Sequence, residues 1–149
     1  GSEMCIRDRN TSEAYFRLRQ VEKAIRSSFA DGRYLIAPQD IEMENERDPE
    51  ERQLHDELHT ALYHLDNVCS ILSYYDRPVV AEGVLYRNAN GRYELDGHEL
   101  TSGQTIELMV YDPDWDKAPH WVRTKIEYDS DYYAVYQHMS LEGKQARIR

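Results

Sequence analysis

The hydrophobic period of this 149-residue chain changes at Pro78. Upstream, apolar residues recur every three or four positions, as on one face of a helix. Downstream they alternate, as in strands with one buried face. A chain that keeps the two patterns in separate halves predicts an α+β fold: a long helical hairpin followed by a small antiparallel barrel. In the first half, Ala14, Leu18, Val21, Ile25 and Phe29 mark the inward face of a helix over Ser12–Ala30. Thr11 or Ser12 is placed to cap it, and Asp31-Gly32 to end it. Its cations Arg17, Arg19, Lys23 and Arg26 read as a solvated face. A connector over 33–47 carries Tyr34-Leu35-Ile36, Pro38 and the acidic residues Asp40, Glu42, Glu44 and Glu46. Asp48-Pro49-Glu50-Glu51 then reads as a helix start, with Asp48 as cap, Pro49 at the first helical position and Glu51 closing a capping box. The stripe Leu54, Leu58, Ala61, Leu62, Leu65, Val68, Leu72 carries this helix to Tyr75, a length of about 40 Å, before Pro78 ends it.

Beyond Pro78, strands are expected over Val80–Tyr86, Arg92–Leu95, Thr105–Tyr111, Trp121–Tyr128, Tyr132–Tyr136 and Gln145–Ile148. Asn90-Gly91 is the strongest hairpin signal, and Asp96-Gly97 marks a further turn. About 70 residues hold too little sheet for a sandwich, so an SH3-like barrel closing on Leu85, Leu95, Ile106, Leu108, Val110, Trp121, Ile126 and Val135 is expected. The organisation is thus 11–77 helical and 78–149 barrel.

Charge narrows the function. Eighteen basic residues face 28 acidic ones, a net −10, which disfavours a broad platform for nucleic acid or anionic lipid. Two cysteines make no disulfide framework, and a membrane span is not expected. With Cys5 among the N-terminal residues set apart below, Cys69 stands alone and reads as a buried small hydrophobe. A cytoplasmic protein of a bacterial host is expected.

The pieces Gly83-Val84-Leu85, Asn90-Gly91-Arg92-Tyr93-Glu94-Leu95, Leu100-Thr101-Ser102-Gly103 and Trp121-Val122-Arg123-Thr124-Lys125-Ile126-Glu127 carry a resemblance. Over Gly83–Arg149 the chain resembles small uncharacterised proteins of Gram-positive mobile elements, a family with no assigned activity. The resemblance implies a plasmid, phage or conjugative-element accessory protein and brings no catalytic residue with it. Gly1-Ser2 resembles a tag-cleavage scar and Glu3–Arg9 a translated sequencing-adapter segment, so residues 1–10 are set apart.

Candidate chemistry is sparse. His55 and His59 stand at i and i+4, the spacing of two zinc ligands, but Asp56 occupies the place where a zincin has its glutamate base, and no third ligand is evident. No metal or other cofactor is expected, and this pair remains the weak alternative. Asp112-Pro113-Asp114-Trp115-Asp116 begins like a calcium loop, but Lys117 and Arg123 stand where that loop has glycine and glutamate. It reads instead as an acidic turn in which Trp115 folds back as a lid or stays exposed as an anchor. Residues 31–60 hold ten acids and three bases, a balance of −7. The leading expectation is therefore a non-enzymatic accessory protein, dimeric, that binds and inhibits a basic host defence or nucleic-acid-processing protein. Its contacts are Asp40, Glu42, Glu44, Glu46, Trp115, Tyr132 and Tyr133, and its self-association runs through Leu54, Leu58, Leu65 and Leu72. The alternative is a small nucleic-acid-binding module in which Arg87, Arg92, Arg123 and Lys125 hold phosphates beside Tyr132 or Tyr133.

Overall fold

The computed structural model describes residues 10–29 and 41–149. The readings placed on residues 1–9, on Asp31-Gly32, on Tyr34-Leu35-Ile36, on Pro38 and on Asp40 lie outside the described residues. The chain divides into two compact units, residues 1–76 and 77–149. The first is helical, the second is built of antiparallel sheets, and the class is α+β.

In the first unit, α1 spans Thr11–Ser28 and α2 spans Pro49–Asp76. The cap of α1 is Asn10, whose side chain accepts from the Glu13 amide at 2.9 Å, rather than Thr11 or Ser12. The α2 start falls as expected, with the Asp48 carboxylate accepting from the Glu50 amide at 3.0 Å. Glu51 does not close a capping box; it turns back on the connector and accepts from the amides of Glu44 and Asn45. The long helix therefore begins with its preceding segment folded onto its first turns.

The rotation of α1 differs from the expected one. Leu18 and Val21 are 47% and 48% exposed, whereas Glu22 is 3% exposed. Arg19 and Arg26 both bond Glu22; Arg19 also meets Asp76 at 3.1 Å, and Arg26 meets Ser73 at 2.9 Å. An ionic cluster beside the apolar stripe thus takes the most buried position, Ile25 and Phe29 stay half-buried at its edge, and two cations of the expected solvated face become structural. On α2, Leu62, Cys69, Leu72 and Tyr74 are buried, while Leu54 and Leu58 are 59% and 42% exposed. Leu72 is consequently removed from the set available for self-association.

In the second unit a six-stranded sheet has the order β1-β9-β5-β6-β7-β8, with β1 Ala81–Val84, β5 Thr105–Val110, β6 His120–Asp129, β7 Asp131–Ala134, β8 Met139–Ser140 and β9 Gln145–Ile148. A three-stranded sheet, β2-β3-β4, comprises Tyr86–Arg87, Tyr93–Leu95 and His98–Glu99. The larger sheet ends on β1 and β8, which do not pair with each other, so the ladder does not close into the expected barrel. Its core holds Leu85, Leu95, Leu100, Ile106, Leu108 and Ile126, each 1% exposed or less. Two expected core residues are displaced. Trp121 has the wrong parity in β6, since Thr124 and Ile126 take the buried side. Val135 is 52% exposed because β7 stops at Ala134 and the backbone turns helical, with φ −58° and ψ −36°.

The turns also trade places. Asn88–Arg92 makes a three-residue loop in which the Gly91 amide donates to the Asn88 carbonyl at 3.0 Å and Gly91 takes φ +76°. The two-residue hairpin with positive φ at both positions falls on Asp96 and Gly97, +46° and +80°, between Leu95 and its partner His98.

Candidate functional site

The acidic segment keeps its shape through backbone bonds. Glu51 holds the amides of Glu44 and Asn45, and the Ile41 carbonyl lies 2.8 Å from His55 Nε2. Glu42, Glu44, Glu46 and Glu50 remain exposed, and Glu42, Glu44 and Glu50 border, with Leu54 and Leu58, a shallow cleft on the first turns of α2. The result is a surface with exposed apolar side chains inside an acidic rim.

His55 and His59 do stack on one face, with ring centroids 4.5 Å apart. His55 is engaged by the Ile41 carbonyl, and His59 Nε2 is buried with no hydrogen-bond partner among the described residues. Among those residues no three His, Cys, Asp or Glu side chains converge in a way that holds a metal ion. Cys69 is buried, and burial pushes its thiol pKa up, away from the reactive thiolate.

Trp115 does not fold back as a lid: it is 86% exposed. The loop that carries it is held closed by four bonds. The Trp115 and Asp116 amides donate to the Asp112 carbonyl at 3.1 and 2.7 Å, the Asp112 amide to Asp116 Oδ2 at 2.8 Å, and the Asp114 amide to Asp112 Oδ1 at 3.0 Å. The two outer aspartates thus brace the backbone of the turn.

The four candidate phosphate-holding cations separate. Arg87 grips both Asp131 oxygens at 2.9 and 2.8 Å and lies over the Tyr93 ring at 4.8 Å. Arg92 meets Glu99 at 3.3 Å. Arg123 and Lys125 share the outer side of β6 and border a shallow cleft with Thr105 and Tyr136. The hydrogen bond from Arg87, with help from the Tyr132 amide, holds the Asp131 carboxyl below the usual range. Asn90 and Asn88, joined by Arg92, do the same for Glu99. Tyr132 packs against the core with its ring 4.9 Å from Tyr128, and Tyr133 stacks on His138 at 3.9 Å. Both are half-buried, whereas Tyr111 and Tyr128 are 53% and 59% exposed.

The residue that strand alternation alone hides is Glu107. It is 2% exposed, yet it sits between Ile106 and Leu108 and so points away from the core. Arg147 Nε donates to it at 3.0 Å and Arg149 Nε at 2.7 Å, and Arg149 also bonds the Arg77 carbonyl at 2.8 Å. The Arg147 guanidinium lies 4.2 Å over Trp121. The i, i+2 spacing of Arg147 and Arg149 announces one shared face, but only the β5–β9 pairing reveals the carboxylate it meets. Glu22 left a plainer signal: arginines three positions before and four after it form a pattern readable on any helix.

Residues 82–148, fewer than half of the chain, match a family model described as a domain of unknown function (DUF5348). No curated protein and no solved structure matches the chain.

Proposed function

We propose that this chain is a non-enzymatic accessory protein of a mobile element, which binds and inhibits a basic host defence or nucleic-acid-processing protein. The observation that carries the reading is the first half of α2, where Leu54 and Leu58 stand exposed beside Glu42, Glu44 and Glu50. A monomer gains nothing by holding those leucines in water, whereas a cationic, partly apolar partner surface matches them in both charge and polarity. The helical unit suits this role as a hairpin: Arg19 meets Asp76 while Arg26 meets Ser73, the order of two antiparallel helices. Self-association through Leu54 and Leu58 belongs to the same proposal as a competing use of the surface. The nucleic-acid alternative draws less support, because Arg87 and Arg92 are already occupied by Asp131 and Glu99.

The test is affinity capture from bacterial lysate with and without nuclease, using the wild-type chain and a triple Glu42→Lys, Glu44→Lys, Glu46→Lys variant. Nuclease-resistant retention of a basic nucleic-acid-processing protein, weakened by the triple reversal, is expected. Retention of nucleic acid alone, lost on Arg92→Gln and Arg123→Gln but indifferent to the reversal, overturns the reading in favour of the alternative.

A further inference from the structure

The two tryptophans of the sheet unit are in opposite situations. Trp121 is half-buried and has the Arg147 guanidinium 4.2 Å over its ring; Tyr93 is capped in the same manner by Arg87 at 4.8 Å. Trp115 has no such partner among the described residues and is 86% exposed. An indole is the largest apolar surface a side chain offers, and its face attracts cations, so full exposure forgoes both contributions. Nor is the exposure that of a slack loop. Asp112 and Asp116 brace the turn through the four bonds described above, and Asp116 also lies 3.7 Å from His120. Of the three aspartates, Asp114 alone keeps a carboxylate with no partner among the described residues, one position from the indole. Tyr111, 53% exposed, precedes the turn.

We propose that Trp115 and Asp114 form a prepared receptor for an arginine side chain on a partner protein. The guanidinium stacks on the indole face and donates to the Asp114 carboxylate. Arginine fits better than lysine because its planar group stacks and hydrogen-bonds at once, where an ammonium does neither as well. The braced turn fixes the backbone that presents the indole, so less ordering is left to oppose association. This inference rests on the reading of the chain as an interaction protein and adds the chemistry of one contact.

The test uses the full chain and a labelled twelve-residue peptide with four arginines, followed by fluorescence anisotropy, with a citrulline version of the peptide as the uncharged isostere. The arginine peptide is expected to bind. Trp115→Ala is expected to weaken it about five- to tenfold, Trp115→Phe by less, and Asp114→Asn about threefold. The citrulline peptide is expected to bind at least as weakly as the arginine peptide does to Trp115→Ala. Affinity within about twofold of wild type for Trp115→Ala, equal binding of the citrulline peptide, or no binding of the arginine peptide at 1 mM overturns the receptor. The triple reversal of Glu42, Glu44 and Glu46 separates the two readings. If it abolishes capture of the lysate partner while Trp115→Ala changes nothing, the receptor fails and the acidic surface stands. If Trp115→Ala weakens both peptide and partner while the reversal is silent, the receptor stands and the acidic surface fails.

Discussion

Glu22 in the helical unit and Glu107 in the sheet unit are both buried carboxylates held by two arginines, at 3% and 2% exposure. Their neighbourhoods differ. Around Glu107, Ile106 and Leu108 on the opposite side of the strand are fully buried. Around Glu22, Leu18 and Val21 stand about half exposed. A strand is held by hydrogen bonds on both edges, so its alternation sends apolar side chains to one face whatever the polar ones do on the other. A helix satisfies its own backbone and is free to rotate, so the strongest contact sets which face turns inward. In α1 that contact is ionic, and the apolar stripe is carried to the side.

The largest test of this contrast is a pair of leucine truncations. Leu108→Ala should destabilise the sheet unit by about 3–5 kcal/mol, because it empties a fully buried position. Leu58→Ala should change stability by no more than about 0.5 kcal/mol, although the sequence pattern ranks both as core. Both tryptophans lie in the sheet unit, so urea denaturation followed by tryptophan fluorescence reports that unit and circular dichroism the helices. Equal losses would break the comparison.

Next come the carboxylates themselves. Glu107→Ala removes a buried carboxylate from two arginine side chains only 20% and 14% exposed, and should cost about 3 kcal/mol or more. Glu22→Ala should cost about 1 kcal/mol, since Arg19 and Arg26 are 24% and 47% exposed and regain water. The same denaturation curves measure both, and a larger loss at Glu22 would reverse the ranking.

A smaller effect concerns acid. Arg87 holds the Asp131 carboxyl below its ordinary value. Such a group contributes stability that is fully present above its unfolded-state pKa and is lost as pH falls through the lowered folded value. The stability gap between wild type and Arg87→Met should therefore be widest near neutrality and should close in acid, below the ordinary aspartate range. A gap that widens on acidification would show that Arg87 acts through something other than Asp131. The smallest effect is at the exposed indole: Trp115→Ala should leave the thermal midpoint within about 1 °C, so that any loss of binding is a loss of contact.

Much of the fold was readable in the order of residues. Asp48-Pro49 begins α2 because a cap and a proline at the first helical position act locally, and Gln145–Ile148 is a strand from end to end. The two-residue strands β4 and β8 were not readable, because an element that short exists only through its neighbour's ladder. Trp121 is expected among the residues that close the core, but parity within β6 decides its side, and parity is counted from partners that the sequence does not name. Of the candidate site, Trp115 was legible as an aromatic within an acidic turn. Its exposure, and the commitment of Arg87 and Arg92 to Asp131 and Glu99, depended on contacts across 44 and 7 positions.

By itself, the sequence determined the change of period at Pro78, the acidic balance of residues 31–60 and the capped start of the long helix. Each follows from charges, dihedral preferences or spacing over a few residues. Only the tertiary structure decided that α1 turns Glu22 inward, that Arg147 and Arg149 converge on Glu107, and that the larger sheet stays open at β1 and β8. Those outcomes depend on which distant segments become neighbours, and many pairings satisfy the same alternation. Strand register and helix rotation are set by the sum of contacts across the whole unit.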